Sequence, residues 1–348
     1  MRVGILTFGH VPNYGAVLQA YGLQESVRAL GHDASVVHYR CAETEKRYQR
    51  LFRGGMRWPF RLMMMRHFSS FRSRHLREYP RRAVWQADDL RPVLDHFDAL
   101  IVGSDQVWAG GAPGAWRGFD ESFYLLSANA DRQRLIAYAP SAGGRESFGP
   151  EAEKVTEALG RFHHLSVRDA HTADLVESLG LPRPPLVLDP TLIHGLSGLG
   201  QADPHGAIVV FGTADQNMRR VIAEVRRHID APLWSLRYRL PGADRVIRAP
   251  RVEQWAATIA GAAYVITSYF HGTLFALKSG RPFSVPIRPD KKAKVSDFLG
   301  GLGLTDRMVL PDGEWHQSNL EPGKSAGVSA QLETASQVSQ DFLRQALA

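Results

Sequence analysis

Three side chains with acid–base or anion-binding chemistry each stand at or just beyond the end of a short apolar run. His271 follows Tyr264-Val265-Ile266-Thr267, Asp105 follows Ala99-Leu100-Ile101-Val102, and Arg168 follows Leu165-Ser166-Val167. An imidazole titrates near neutrality and can lend a proton or a hydrogen bond. A carboxylate can orient or deprotonate a hydroxyl. A guanidinium matches a carboxylate or phosphate as a two-pronged fork. Such a set suits an anionic substrate and an attacking hydroxyl. Each residue also has a plainer role: His271 as a cap or packing group, Asp105 as a helix cap, and Arg168 as the ion-pair partner of Asp169 or another acid.

The elements that must position these groups are short strands followed by helices. From Gly272 the apolar positions Leu274, Phe275 and Leu277 predict a helix ending near Gly280 and Pro282. A strand turning into a helix leaves backbone N–H groups and a positive dipole end at the turn, which suits an anion. Ser268 sits in that turn, and Gly272 would let a ligand approach the backbone closely. The opening repeats the pattern. Val3–Phe8 predicts a strand, Gly9–Gly15 a turn, residues 16–30 a helix and Ala34–His38 a second strand. Asn13 and Gly15 could line a pocket there or serve ordinary turn chemistry. The turn lacks the glycine spacing of a dinucleotide-binding fingerprint, which argues against NAD. A further strand at 135–139 ends in Pro140-Ser141-Ala142-Gly143-Gly144, where backbone donors could meet an anion or simply turn the chain.

The strand–helix alternation resumes after a proline-rich crossover at 182–190, with strands at 207–211, 232–236, 264–267 and 283–287. The fold class expected is α/β, with two Rossmann-like domains facing a cleft. The expected division is residues 1–190 with a basic helical insertion at about 43–85, then 191–325. A last helix within 326–348 could pack back on the first domain.

The 348 residues are enough for two full cores, and 44% hydrophobic content fits a globular protein. Cys41 is the only cysteine, so neither an internal disulfide nor a cysteine-rich zinc site can form. The first nine residues are too brief an apolar run for a signal peptide. The uncharged run Ala256–Leu277 carries too many polar residues to favour a membrane span. Net charge is +7, but residues 46–82 hold 12 basic residues and one acid, Glu78, so this +11 segment leaves −4 on the remainder. Leu62-Met63-Met64-Met65, Phe68 and Phe71 lie among those arginines and predict one or two amphipathic helices. A solvated helical hairpin is the plain reading. Contact with an anionic membrane surface or a phosphorylated acceptor is the functional one; no nucleic-acid module is present.

Taken together, Asn13-Tyr14-Gly15-Ala16-Val17-Leu18-Gln19-Ala20, Val102-Gly103-Ser104-Asp105-Gln106-Val107-Trp108, Ser166-Val167-Arg168-Asp169, Leu188-Asp189-Pro190-Thr191 and Phe270-His271-Gly272-Thr273 resemble the polysaccharide pyruvyl transferase family, in the family's order and across most of the chain. The resemblance implies a two-domain fold like that of the GT-B glycosyltransferases, with the active site in the cleft. It implies transfer of pyruvate from phosphoenolpyruvate (PEP) onto two hydroxyls of a sugar, forming a cyclic ketal. The family's PEP-binding arginine matches Arg168, and its histidine matches His271. His271 and Asp105 are the catalytic candidates. Arg168, Gly272, Thr273, Ser268, Asn13, Gly15, Ser141 and Gln106 are the substrate-binding candidates. Many members carry Arg-Leu before the histidine. Here Tyr269-Phe270 stand there, as in a bacterial subgroup with the Phe-His-Gly form, and one anion-binding arginine is lost. Arg237, Lys278, Arg281 and Arg288 are candidates to replace it. Neither a cofactor nor a metal is expected. The expected partners are PEP and a sugar acceptor, free or lipid-linked, and the expected location is the cytoplasm, with peripheral membrane contact through 46–82. The alternative is a GT-B-type glycosyltransferase with a nucleotide-sugar donor.

Overall fold

A computed structural model describes residues 1–46, 58–111, 118–195, 199, 204–287 and 292–348. Part of the basic segment, 47–57, and the candidate Arg288 lie outside the described residues. The chain divides into two compact units. The first holds Met1–Met56, Ser69–Gly195 and Thr334–Ala348; the second holds Arg57–Phe68 and Leu196–Glu333.

The first unit is built on six parallel strands in the order β3-β2-β1-β4-β5-β6. These are β1 (Arg2–Leu6), β2 (Asp33–Tyr39), β3 (Glu78–Val84), β4 (Ala99–Val102), β5 (Arg134–Ala137) and β6 (His164–Leu165). The central strands are apolar on both faces because both faces are covered. On one face Val3, Ile5, Ala99, Ile101 and Ile136 pack with Leu23 and Val27 of helix α1 (Tyr14–Ala29) and with Leu343, Ala346 and Leu347 of the last helix, Ala326–Leu347. On the other, Leu6, Leu100, Val102, Leu135 and Ala137 pack with Trp108, Phe123 and Val155. The alternation is the period of two that a pleated strand imposes. Asn13 caps α1, its Oδ1 accepting from the amides of Gly15 (3.0 Å) and Ala16 (3.5 Å). Gly31, at φ 87°, ends the helix region.

The basic segment contributes one long helix, α2 (Trp58–His75), and then the edge strand β3. The helix buries Met64, Phe68, Phe71 and Arg72, a stripe at helical spacing.

The second unit repeats the plan: six parallel strands in the order β12-β11-β10-β7-β8-β9. They are β7 (Ile208–Phe211), β8 (Leu233–Leu236), β9 (Arg245–Ile247), β10 (Tyr264–Thr267), β11 (Phe283–Pro286) and β12 (Met308–Val309). Helix α3 (Gln216–His228) lays Met218, Val221, Ile222 and Val225 against Ile208, Val210, Tyr264 and Ile266. Renumbered within each unit, both sheets read 3-2-1-4-5-6, the doubly wound order. Strand order reverses between β1 and β4 in the first unit and between β7 and β10 in the second. Ligands in such sheets bind beyond the strand C-termini at these switch points. No described helix is long and apolar enough to cross a membrane.

Candidate active site

In the first unit the switch point is locked by a buried polar network. Gln19, from α1, donates to Thr7 Oγ1 (2.8 Å) and to the Ala16 carbonyl (2.9 Å). Thr7 Oγ1 donates to the Ser104 carbonyl (2.7 Å), and Ser104 Oγ donates to Gln19 Oε1 (3.0 Å). Gln19 and Ser104 have no exposed surface, and Thr7 keeps only a trace. These three residues tie the ends of β1 and β4 to the start of α1. Their signal in the sequence is a glutamine inside the apolar run Val17-Leu18-Gln19-Ala20, since a buried amide must find partners.

Asp105 emerges from that lock in a left-handed backbone conformation, φ 103°. Such a conformation is costly for a residue with a Cβ, and outliers of this kind gather at functional sites. Its carboxylate accepts from the Gln106 amide (2.8 Å), and its carbonyl accepts from the Ser141 amide (2.9 Å). No helix follows, so Asp105 is not a helix cap. Gly103 is required by contact as well as by its φ of 112°: a Cβ there would stand 2.1 Å from the Tyr138 carbonyl oxygen.

Arg168 reaches the same rim but is turned inward. Its Nη1 donates to Asp189 Oδ2 at 2.9 Å, and the two side chains are 7% and 1% exposed. Burial works against the charge, but Asp189, then Asp105 and Asp169, outweigh it and raise the guanidinium pKa. Asp189 is further fixed by accepting from the Thr191 amide (3.0 Å) and hydroxyl (2.7 Å). Asp169 is the N-cap of the next helix, Ala170–Glu177. The plainer expectation of an ion pair therefore describes Arg168, with Asp189 as the acid.

The turn at Ser141 is largely committed to itself. The Ala142 amide donates to Thr172 Oγ1 (2.9 Å), the Gly143 amide to Ser141 Oγ (3.1 Å) and the Arg145 amide to the Ala142 carbonyl (3.3 Å). Ser141 itself is buried. Asn13 is likewise occupied as the α1 cap, with Gly15 buried in the first turn.

In the second unit the anchor helix, α4 (Phe270–Lys278), begins two residues earlier than its sequence suggests, with Tyr269 as N-cap. His271 therefore lies in the first helical turn, not before it. Gly272 has a packing reason to be glycine as well: a Cβ there would stand 2.3 Å from Thr267 Oγ1, so the strand's own side chain fills the space on that side. Thr267 Oγ1 donates to the Phe211 carbonyl (2.8 Å) and accepts from the Tyr269 amide (3.2 Å). Thr273 is fully buried, and its hydroxyl donates back to the Tyr269 carbonyl (3.3 Å). Ser268 is different. It is 5% exposed, and its hydroxyl has no hydrogen-bond partner among the described residues. It faces the β7 turn, where a Cβ on Gly212 would meet Ser268 Oγ at 2.8 Å. An orphan hydroxyl at a switch point, beside a helix N-terminus, is a place for a water or a ligand oxygen.

Arg237 follows β8 in a left-handed conformation, φ 71°. Its guanidinium lies over the Tyr238 ring, 5.5 Å from the centroid. The Tyr238 and Tyr269 hydroxyls are 2.6 Å apart and their rings are stacked at 5.9 Å. Arg237 is thus linked through two tyrosines to the cap of the helix that carries His271.

The sequence matches the polysaccharide pyruvyl transferase family over residues 13–285. The chain belongs to this family. As a polysaccharide pyruvyl transferase it is a transferase acting on a polysaccharide. No curated protein matches it. Among solved structures it is similar to the UDP-GlcNAc 2-epimerase of Methanocaldococcus jannaschii, with TM-score 0.49 and 10% identity over 96% of this chain and 99% of that one. It is also similar to the E. coli heptosyltransferase WaaC with ADP, with TM-score 0.44 and 15% identity over 96% of this chain and 100% of that one.

Within this pyruvyl transferase the candidates for the missing cation separate by position. Lys278 is the last residue of α4, roughly 12 Å along the axis from its N-terminus at the standard helical rise. Arg281 precedes β11, at the strand's N-terminal end, on the far edge from the rim. Arg237 alone of the three stands at a strand's C-terminal end. Among the described residues no group of three or more His, Cys, Asp or Glu side chains could hold a metal ion.

Proposed function

We propose that this transferase takes pyruvate from PEP and closes it as a cyclic ketal on two hydroxyls of a sugar. The observation that carries the reading is His271 in the first turn of α4, three residues after Ser268 with its orphan hydroxyl. PEP brings a carboxylate and a phosphate, and a helix N-terminus with a neighbouring imidazole is suited to one of them. Arg237 is assigned the second anionic group. This replaces Arg168 in that role, because the Arg168 guanidinium is already held by Asp189 in a buried pair.

Chemically, a proton adds to the methylene carbon of PEP, which becomes the methyl group and leaves an oxocarbenium-like centre at C2. A sugar hydroxyl attacks C2 and gives up its proton. The C2–O bond to phosphate breaks, and the second hydroxyl attacks C2 with loss of its own proton. The phosphate leaves as the hydrogen phosphate dianion, so two protons are taken up and two released. His271 is assigned as the acid or phosphate partner. Asp105 is assigned as the base for a hydroxyl.

The test is incubation of the purified protein with PEP and nitrophenyl or lipid-linked hexosides. A mass gain of one pyruvate ketal with release of phosphate is expected. Turnover with a UDP- or GDP-sugar and none with PEP would overturn the reading.

A further inference from the structure

Helix α2 carries an apolar patch that the fold does not use. Leu62, Met63 and Met65 are 36%, 38% and 49% exposed, although the helix buries Met64 between them. Among the described residues eight large hydrophobic side chains are exposed, and these three fall within four consecutive positions. They are flanked by Arg61 and Arg66. Neither arginine forms a hydrogen bond, ion pair or ring contact among the described residues. The helix contains four arginines and no acid at all. Its seating is settled by other positions: His67 Nδ1 is 3.0 Å from the Ala249 carbonyl, Arg248 lies over the Phe60 ring at 4.8 Å, and Arg72 pairs with Glu78 at 2.6 Å. Positions 62, 65, 66 and 69 recur at three- and four-residue spacing, so they share one outward face.

We propose that this face of α2 docks on an anionic lipid surface. The patch is a convex ridge of flexible, unbranched or γ-branched side chains, not a groove, so it suits insertion into a soft medium better than packing into a shaped partner. Arg61 and Arg66, which pair with no other described residue, supply the matching charge on either side and can bury their stems while their heads stay among headgroups. The segment around the helix, 46–82, carries +11, which extends the same field. The pairing of exposed Leu and Met with arginine, and the lack of any carboxylate on the helix, separates this face from an ordinary solvated one, where both signs of charge are mixed.

The experiment is co-sedimentation of the full chain with vesicles of phosphatidylcholine alone and of phosphatidylcholine with phosphatidylglycerol. Binding is expected only to the anionic vesicles, and it should weaken as salt rises. Arg61→Gln with Arg66→Gln should lose about twenty-five-fold in affinity, since each surface cation is worth roughly fivefold. Leu62→Ser, Met63→Ser and Met65→Ser together should lose at least about tenfold. These side chains are exposed, so melting temperature and turnover on a soluble acceptor should stay at wild-type values, which separates failed docking from failed folding. Failure of the wild type to bind anionic vesicles at low salt would overturn the proposal. So would a triple-serine variant that binds as well as wild type, or one whose only change is loss of self-association or of RNA binding.

Discussion

Arg168 and Asp189 form a buried ion pair, Nη1 to Oδ2 at 2.9 Å, between side chains 21 positions apart. Asp189 also caps the start of the short helix Pro190–Ile193. Removing one partner strands a charge in a site that water barely reaches, which costs about 3–5 kcal/mol. Asp189→Ala should therefore lose about that much stability in urea denaturation. Arg168→Lys should fall between wild type and Arg168→Ala, since it keeps the charge but not the fork. An Asp189→Ala protein as stable as wild type would show that the pair holds nothing together.

Acid should unfold the first unit through two buried histidines. Both ring nitrogens of His10 are buried without a partner among the described residues. Burial, followed by the charges of Arg72 and Arg40 and by His38, holds its pKa well below the ordinary value. His38 is lowered chiefly by burial, with Arg72 and Arg40 adding and Glu78 opposing. Its Nε2 receives Arg40 Nε at 3.2 Å and Arg72 Nη2 at 3.1 Å; both can only donate, so that nitrogen is bare. Glu45 is the other carboxylate nearby, 3.5 Å from Arg40. A histidine with a depressed folded-state pKa takes up its proton more readily when unfolded. Its stabilisation is complete above about pH 6.5 and is lost as pH falls below that toward the folded value, by up to about 1.4 kcal/mol per pH unit for each residue. Melting curves from about pH 8 to pH 5 should show this slope, and His10→Gln should flatten it. A melting temperature constant over that range would contradict the assignment.

Gly272 separates two explanations of one motif. If packing requires the glycine, Gly272→Ala should destabilise the protein by about 2–3 kcal/mol, because its methyl collides with Thr267 Oγ1 at 2.3 Å. Thr267→Ala in the same chain should then recover part of the loss, and a double-mutant cycle on melting free energies reads the coupling. Additive effects would return the glycine to the ligand.

Those contrasts show what the chain reveals before folding. Strands 99–102 and 264–267 coincide with their aliphatic and β-branched runs, since a strand buried on both faces needs no polar alternation. Helix α3 is legible from Met218, Val221, Ile222 and Val225 at helical spacing. β3, with Pro80 and two arginines, is an edge strand whose outer side faces solvent, so it carries no apolar signature. β9 and β12 are three and two residues long, below any periodic signal. Among the candidate residues, His271 and Asp105 advertise themselves because they end apolar runs. The Thr7–Gln19–Ser104 lock and the partner of Arg168 do not, since those contacts join residues 12 to 97 positions apart.

Arg237 gives the sharpest test of the donor site. It stands at the end of β8 with a strained backbone, and its charge lies over Tyr238, whose hydroxyl meets that of Tyr269 at 2.6 Å. If it holds one anionic group of PEP, Arg237→Ala should raise the KM for PEP about tenfold or more, the usual loss for a charge-assisted hydrogen bond, with a smaller change in kcat. Arg237→Lys should recover part of the binding, because Lys keeps the charge without the planar fork. Tyr238→Phe should have a milder effect of the same sign, since it removes only the hydroxyl that links the pair of rings. Loss of PEP binding should appear as well in the thermal shift that PEP produces, measured without acceptor. His271→Asn should instead lower kcat with little change in KM, because its proposed contribution lies in proton transfer or in the departing phosphate. An Arg237→Ala enzyme with an unchanged KM for PEP, alongside a wild type that binds PEP, would remove Arg237 from the donor site while leaving the transfer reaction in place.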